Sequence, residues 1–501
     1  MTKVDFLPGF FRTPRPSAAL PRRQTPDRLQ NMNSPPAGIL IPTALAIAGM
    51  ALLGWWTRAD LTTPLELREP GQDGVTTAGP AGPLVAPTPG EPIRSGGEPA
   101  GVTGAWPWFR GPNLDAICDD GIPLARQWPP GGPKRLWAVE LGQGFASAAV
   151  RDGCVYVLDY DEIAQADTMR CLSLGDGKEI WRNSYPVVVP WNHGMSRTVP
   201  AVVGGCVISL GPMCHVTCWD AQTGQARWLL DLVLDRGTKV PSWYAGQCPL
   251  VDNDRLILAP SGKALLTAID YKSGKVLWES PNPRKWAMTH SSIVPMEFAG
   301  KRTYVYCGKG GVAGVSADDG KLLWDTTAWK IDMATCPSPV VVDGGRIFLC
   351  GGYNAGAMML QLKQRGGSIA PEVLFRLKPR QFSSEQQTPV LLDGHLYGVR
   401  QEGQQLVCLD LSGSEVWNSG QEKFGSGPYM IAGGLIYVLD DKGRLTVAEA
   451  TPQGYKRLDR AVVIDDAVDS WGPMAMVAGR LIVRDMTRMV CLDVAAVGSR
   501  Q

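Results

Sequence analysis

Six residues recur along this chain with small changes. Asp176–Trp181 reads DGKEIW, Thr223–Trp228 TGQARW, Ser273–Trp278 SGKVLW and Asp319–Trp324 DGKLLW. Aligned on the last aromatic residue, the series is Trp137, Trp181, Trp228, Trp278, Trp324, Phe375 and Trp417, at intervals of 44, 47, 50, 46, 51 and 42 residues. A weaker copy, TPQGYKRL, ends at Leu458. A period of about 40–50 residues admits propeller blades or helical arrays and little else.

The local pattern decides between them. Each unit opens with apolar or alternating runs broken by a turn: AVVGGCVISL (201–210), LVDNDRLILA (250–259), VVVDGGRIFLC (340–350), LLDGHLYGV (391–399) and MIAGGLIYVL (430–439). Gly-Gly, Asp-Gly and Asn-Asp between apolar runs are hairpin signals. A third short strand follows, such as HVTCWD (215–220) or QLVCLD (405–410), and then the six-residue motif. That is four short antiparallel strands per unit. Gly177, Gly224, Gly274, Gly320 and Gly413 stand four residues before the aromatic, where a tight turn needs φ > 0. Ser173, Asp220, Asp270, Ser316 and Asp410 are placed to cap that turn. The aromatic then packs between neighbouring sheets, so Trp137, Trp181, Trp228, Trp278, Trp324, Phe375 and Trp417 are read as structural docking residues.

Seven complete units run from Ala148 to Leu458. The chain ends on three strands without a fourth, within 473–494, and begins with a fourth strand lacking its first three, RLWAVEL (135–141). Pairing them closes a ring and removes two open edges. The expectation is an all-β, eight-bladed β-propeller over 105–495, closed by strand 135–141 against the C-terminal strands.

The region before the propeller is of another kind. Residues 1–37 carry six Lys or Arg and two acids, and Gly38–Trp56 is nineteen residues without a charge. At about 1.5 Å per residue such a helix approaches the thickness of a bilayer core, with Trp55 and Trp56 at the interface. The basic flank puts 1–37 in the cytoplasm. The expectation is a basic cytoplasmic tail (1–37), a transmembrane signal-anchor helix (38–56) and a propeller on the periplasmic, extracytoplasmic side of the inner membrane; a cleaved signal peptide is the alternative. Residues 57–104 hold eight Pro, nine Gly and no aromatic, which reads as a disordered tether. The balance of 49 basic and 48 acidic residues, net charge +1, offers nothing to nucleic acid.

The repeats resemble the PQQ-like (pyrroloquinoline-quinone-like) β-propeller family, built from tryptophan-docking repeats of the form AxDGxxY…LxALDxxTGxxxW. Here the pattern stands as AVRDGCVYVL…MRCLSLGDGKEIW and as LILAP…LTAIDYKSGKVLW, and WPWFRGPNLDA (106–116) is similar to the lead-in of bacterial, planctomycete-type members. The resemblance implies the fold. Its functions divide among quinone-dependent alcohol dehydrogenases, the propeller subunit of outer-membrane assembly, and members without assigned activity. The dehydrogenase branch would imply an adjacent-cysteine disulfide over the quinone, a carboxylate-amide set for Ca²⁺ and an Asp base. This chain has no Cys-Cys pair and no C-x-x-C-H haem site.

Cys171, Cys218, Cys408 and Cys491 share one repeat position that Ala268 and Gly314 fill elsewhere, a tight core slot where Cys serves as a small hydrophobe. Cys206 faces Cys218 across a hairpin, where a thiol pair and a disulfide are both open. Asp465, Asp466 and Asp469 read as a solvated acidic loop rather than a Ca²⁺ site, and His215 and His395 as exposed strand ends.

In a propeller, the connections between one blade's outer strand and the next blade's inner strand gather at one mouth of the central channel. Those of this chain are polar with interleaved aromatics. Their binding candidates are His193, Arg197, Trp243, Gln247, His290, Glu385, Gln387 and Trp471, which could enclose a planar anionic ligand or a peptide segment; the alternative is that they are ordinary loop residues capping the blade ends. No catalytic residue and no metal ligand is assigned. The leading expectation is a membrane-tethered, non-catalytic binding or assembly scaffold with a protein or peptide partner at the funnel or blade edges and no cofactor. The alternatives are a PQQ- and Ca²⁺-dependent dehydrogenase of an alcohol or sugar, and a sensor or adhesion ectodomain.

Overall fold

The structure, a computed structural model, describes residues 37–58 and 85–498. The chain divides into two units between Leu67 and Arg68. In the first, Ala37–Arg58 is a helix of 22 residues, bounding the apolar segment expected at 38–56. Its side chains are described over 45–55, about 16 Å of helix at 1.5 Å per residue. Among the described residues no helix is long and apolar enough to cross a membrane, so the expected membrane span is without structural support. Of the basic tail expected at 1–37, residues 1–36 lie outside the described residues.

The second unit is a ring of eight antiparallel sheets of at least four strands each. The first blade is built from Ala149–Arg151, Cys154–Asp161, Ala166–Ser173 and Glu179–Pro186. Six further blades repeat the plan, the last of them ending with Arg457–Val462. The eighth takes three strands from the C-terminal end, Ala475–Val477, Arg480–Arg484 and Arg488–Asp493, and its outermost strand, Lys134–Glu140, from the front of the unit. In that closing ladder Cys491 stands opposite Trp137, as Cys171 stands opposite Trp181 in the first blade. The residue that replaces the slot's cysteine, Ala268 or Gly314, likewise faces its blade's tryptophan.

The cores lie between blades rather than within them. One buried cluster joins Tyr156 and Trp181 of the first blade to Val207 and Trp219 of the second; others bridge successive pairs around the ring. Docking indoles cross the same seams. The Nε1 of Trp137 donates to the Leu174 carbonyl, that of Trp181 to Ala221, that of Trp228 to Tyr271 and that of Trp417 to Thr451, at 2.8–3.0 Å, each in the next blade. Trp278 and Trp324 differ: the Nε1 of each is buried without a partner. In the blade after Trp324 the outer hairpin is longer, Gly356–Arg365 and Ser368–Leu377, and turns at Gly366 and Gly367.

Two expectations change here. The tether was expected to run to residue 104. Residues 85–104 instead follow the first blade: Ile93–Arg94 pairs with Arg182 and Trp181 on its outer edge, and the Ala100 N–H donates to the Gly153 carbonyl. A backbone with few side chains to bury is stabilised by completing the hydrogen bonds of an open sheet edge. Residues 59–84 lie outside the described residues. The second change concerns 105–118. Ala105–Trp106 adds to the first blade's innermost strand, and Ile117–Cys118 runs parallel to Tyr429–Ala432, the innermost strand of the seventh. Between these two attachments the segment crosses the central channel. Arg110 fixes it, donating from Nε to Leu114, from Nη1 to Thr388 and from Nη2 to Asp115 and Pro389, all backbone carbonyls. The lead-in is therefore a plug.

The twelve cysteines are all free, with Cys336 alone not fully buried. Cys206 and Cys218 are thiols. The Cys206 Sγ accepts from Arg227 Nη1 at 2.8 Å. His215 was expected to be exposed, but it is buried, its Nε2 3.5 Å from Asp231 Oδ2 and its ring edge-on to Tyr185. It lies in the seam between the first two blades, where packing, rather than the nearby turn, sets exposure.

Candidate functional site

Blade-to-blade connections and second-to-third-strand hairpins lie on the same face of a propeller, because the strands alternate in direction. On that face they enclose a cavity of about 300 Å³. Its floor is Phe109 of the plug, so the channel is blind at this end. Around the wall stand His193 and Arg197 (first to second blade), Trp243 and Gly246 (second to third), His290 (third to fourth), Cys336 (fourth to fifth), Glu385, Gln386 and Gln387 (fifth to sixth), Trp471 (seventh to eighth) and Phe145 (eighth to first). Tyr353 enters from a hairpin of the fifth blade.

Seven of the eight residues singled out by sequence thus share one cavity. The eighth, Gln247, does not. It is wholly buried, and its Oε1 accepts the Ala259 N–H at 2.9 Å; it braces the third blade from within. Among the lining residues missed were Phe109, Phe145, Cys336, Tyr353 and Gln386. Phe145 lies in the connection from the closing strand, of the same kind as the other six. Phe109 carried a signal in the run WPWFRGP, whose clustered aromatics have no counterpart in the repeats. Tyr353 carried none, since its hairpin type does not contribute elsewhere.

The interior is tightly organised. Phe145 stacks on Trp471 at 5.2 Å between centroids and meets the His193 ring edge-on at 5.4 Å. The Arg197 guanidinium lies 5.0 Å from the Phe145 centroid and 6.0 Å from that of Tyr244, within cation–π range of both. Its Nη2 donates to the His193 carbonyl, and its Nε is buried without a partner. Burial pulls Arg197 down to about 10, which leaves it charged at neutral pH. His193 Nε2 is 3.4 Å from Asp469 Oδ2; burial, then the nearby Arg197 charge, lowers its pKa. Trp471 donates from Nε1 to Asp441 Oδ1 at 2.8 Å and accepts at its carbonyl from Gln387 Nε2 at 3.1 Å.

His290 packs against Gly246. A Cβ at residue 246 would stand 2.5 Å from its ring, so only glycine admits the imidazole there. Both ring nitrogens are buried and unpartnered at hydrogen-bonding geometry. Burial, reinforced by Arg197, lowers its pKa to about 4, and the backbone of 242–244 opposes only part of that shift. His290 is therefore neutral in use. Cys336 is also neutral, its thiol pushed up to about 12 by burial. Backbone strain collects at the same place: Trp243 and Tyr244 are left-handed in succession, at φ 61° and 67°, and so are Tyr353 and Asn354, at 53° and 64°. Bulky residues adopt this region only where the surroundings impose it, and such outliers concentrate at functional sites. A cation, a neutral imidazole and aromatic faces around a blind pocket can bind; no nucleophile paired with a base is present among these lining residues.

A family model described as outer membrane protein assembly factor BamB, of the PQQ-like repeat type, matches residues 165–417, half of the chain. The chain belongs to this family. Solved structures similar to this family member include BamB from Moraxella catarrhalis (15% identity, 72% of this chain and 99% of that one, TM-score 0.48) and the quinohemoprotein alcohol dehydrogenase of Comamonas testosteroni (12% identity, 78% and 81%, TM-score 0.41). A tetrathionate hydrolase of Acidithiobacillus ferrooxidans is 24% identical over 152 residues. That match covers 28% of this chain and 30% of the hydrolase, under a third of its length.

Proposed function

We propose that this family member is a non-catalytic binding propeller that captures a projecting segment of a partner protein in its funnel. The observation behind this reading is the combination of a blind, aromatic-walled cavity with exposed apolar side chains on the same loops. Val188, Trp191, Met333, Tyr353 and Val468 are 63, 70, 54, 37 and 57% exposed. Exposed apolar groups cost solubility and mark contact surfaces when they cluster, and aromatic anchors set in a pocket carry most of the energy of a protein interface. Membership of a family described as an assembly factor supports the same reading. Retention of a partner from a membrane extract tests it. Full-length chain with Trp191→Ser and Trp243→Ala loses the partner, whereas Val276→Ser on an outer blade edge keeps it; equal retention contradicts the proposal.

A quinone-dependent dehydrogenase is the alternative that the PQQ-like resemblance raises. Pyrroloquinoline quinone carries three carboxylates and is held with a metal ion in such enzymes. The cavity offers one guanidinium, Arg197, and places Glu385 in the same wall. Among the described residues no group of three His, Cys, Asp or Glu side chains is placed to hold a metal. The donors present do not fit the group, and no reaction step is assigned to it. A titration with the quinone and Ca²⁺ that changed its absorbance, with dye reduction by an alcohol, would restore the enzyme reading.

An extracytoplasmic position at the inner membrane is likewise a proposal, supported by the uncharged run Gly38–Trp56 after a basic segment. Retention of the full chain in membranes after alkaline extraction supports it, and release contradicts it.

A further inference from the structure

We infer that the funnel recognises a single carboxylate carried on a flat or apolar group, and that Arg197 is the side chain that pairs with it; this rests on the funnel being the binding surface. The argument begins with the arginines. A guanidinium has five N–H donors, and one buried without partners is costly. Arg110 and Arg484 sit deep in the same propeller, and each is tied to four backbone carbonyls. The Nε of Arg197 is buried as well, yet its guanidinium makes one such bond, to His193. Among the described residues no carboxylate lies within ion-pair distance of it. Its Cζ lies over the Phe145 and Tyr244 rings, and the side chain lines the cavity. A guanidinium with N–H donors left over matches the two oxygens of a carboxylate.

The neighbourhood favours an acceptor at that point. His290, neutral, must carry a proton on one ring nitrogen, and neither nitrogen has a partner; the hydroxyls of Ser196 and Ser291 beside these loops are also buried and unpartnered. The negative groups are turned to other work. Asp469 faces His193, and Asp441 accepts from Trp471. Glu385 stands near Tyr353 and Cys336, where it opposes a second negative charge, so the site takes one anionic group and no more. Trp243, Tyr353 and Phe109 supply the apolar faces against which the rest of the ligand packs.

The carboxylate has two possible sources, a protein's C-terminus or a free aromatic acid, and calorimetry on the full-length chain separates them. The probes are acetyl-Ala-Ala-Trp as the free acid, the same peptide as its amide, and indole-3-acetate. The inference expects the peptide acid to bind at least tenfold more tightly than the amide. In Arg197→Gln that preference disappears, in Arg197→Lys part of it returns, and unchanged melting temperatures show that both variants are folded. Equal binding of acid and amide overturns the inference and leaves capture of a partner segment standing. Indole-3-acetate binding as tightly as the peptide acid keeps the carboxylate but overturns partner capture. No heat with any probe at millimolar concentration overturns the inference.

Discussion

The indole of Trp181 lies against Gly224 of the following blade, so closely that a Cβ on that glycine would stand 2.6 Å from the ring. The same indole donates to the Ala221 carbonyl in the same turn. The glycine of the repeated motif therefore has two reasons to be glycine: its φ of 75° and the ring above it. Gly224→Ala is expected to destabilise the chain by about 2–3 kcal/mol, from backbone strain together with overpacking. Gly434, with φ 73° and open space around it, isolates the backbone part, and Gly434→Ala should cost about 1 kcal/mol. Urea unfolding of both variants checks the difference; equal losses would show that docking does not involve the glycine.

Ring closure makes a separate demand on Trp137. It is 6% exposed and links the eighth blade to Leu174 of the first. Trp137→Ala should cost about 3–5 kcal/mol, and limited proteolysis should then cut first around the joint between the C-terminal strands and Lys134–Glu140. Uniform cleavage across the blades would contradict the role given to that seam.

Two buried groups give opposite pH dependences. Asp167 is wholly buried, accepts from the Tyr185 hydroxyl at 2.7 Å, and is pushed up from 3.8 to about 7 by burial. Between those values the folded chain holds a proton that the unfolded chain has released, so stability falls as pH rises toward 7. His290 is lowered from 6.5 to about 4. In that window the unfolded chain binds the extra proton, so stability falls as pH drops. Melting temperatures of Asp167→Asn should lose the decline toward pH 7, and those of His290→Gln the decline toward pH 4. An unaltered profile in either variant would contradict that group's assignment.

The plug offers a fourth test. Arg110→Met removes the donors of four carbonyls while keeping much of the side-chain length. The expected loss is about 3–5 kcal/mol if the segment stays in place. Hydrogen exchange at Trp108–Ala116 should accelerate before that of the inner strands; unchanged exchange would show that Arg110 does not hold the segment.

Much of the architecture was legible because each blade repeats one solution: a turn needing glycine and an aromatic that crosses to the next sheet. The seven cavity residues were legible for a related reason, since connections of one kind must gather at one mouth. What escaped notice depended on non-local pairing. Residues 93–94 and 105–118 have no repeat period, and their attachment follows from the hydrogen bonds left open at a blade edge and inside the channel. Gln247 and His215 were misplaced because exposure in a propeller is set by the neighbouring blade, which no local window contains.

The funnel as the contact surface is the claim on which the functional account turns, and proximity cross-linking addresses it most directly. A photoreactive phenylalanine at position 243, inside the cavity, and another at position 276, on an outer strand, would be activated in cells making the full-length chain. The account predicts a discrete cross-linked partner from position 243 that vanishes with Trp191→Ser and Trp471→Ala, and none from position 276. A partner captured at 276 and not at 243 would contradict it.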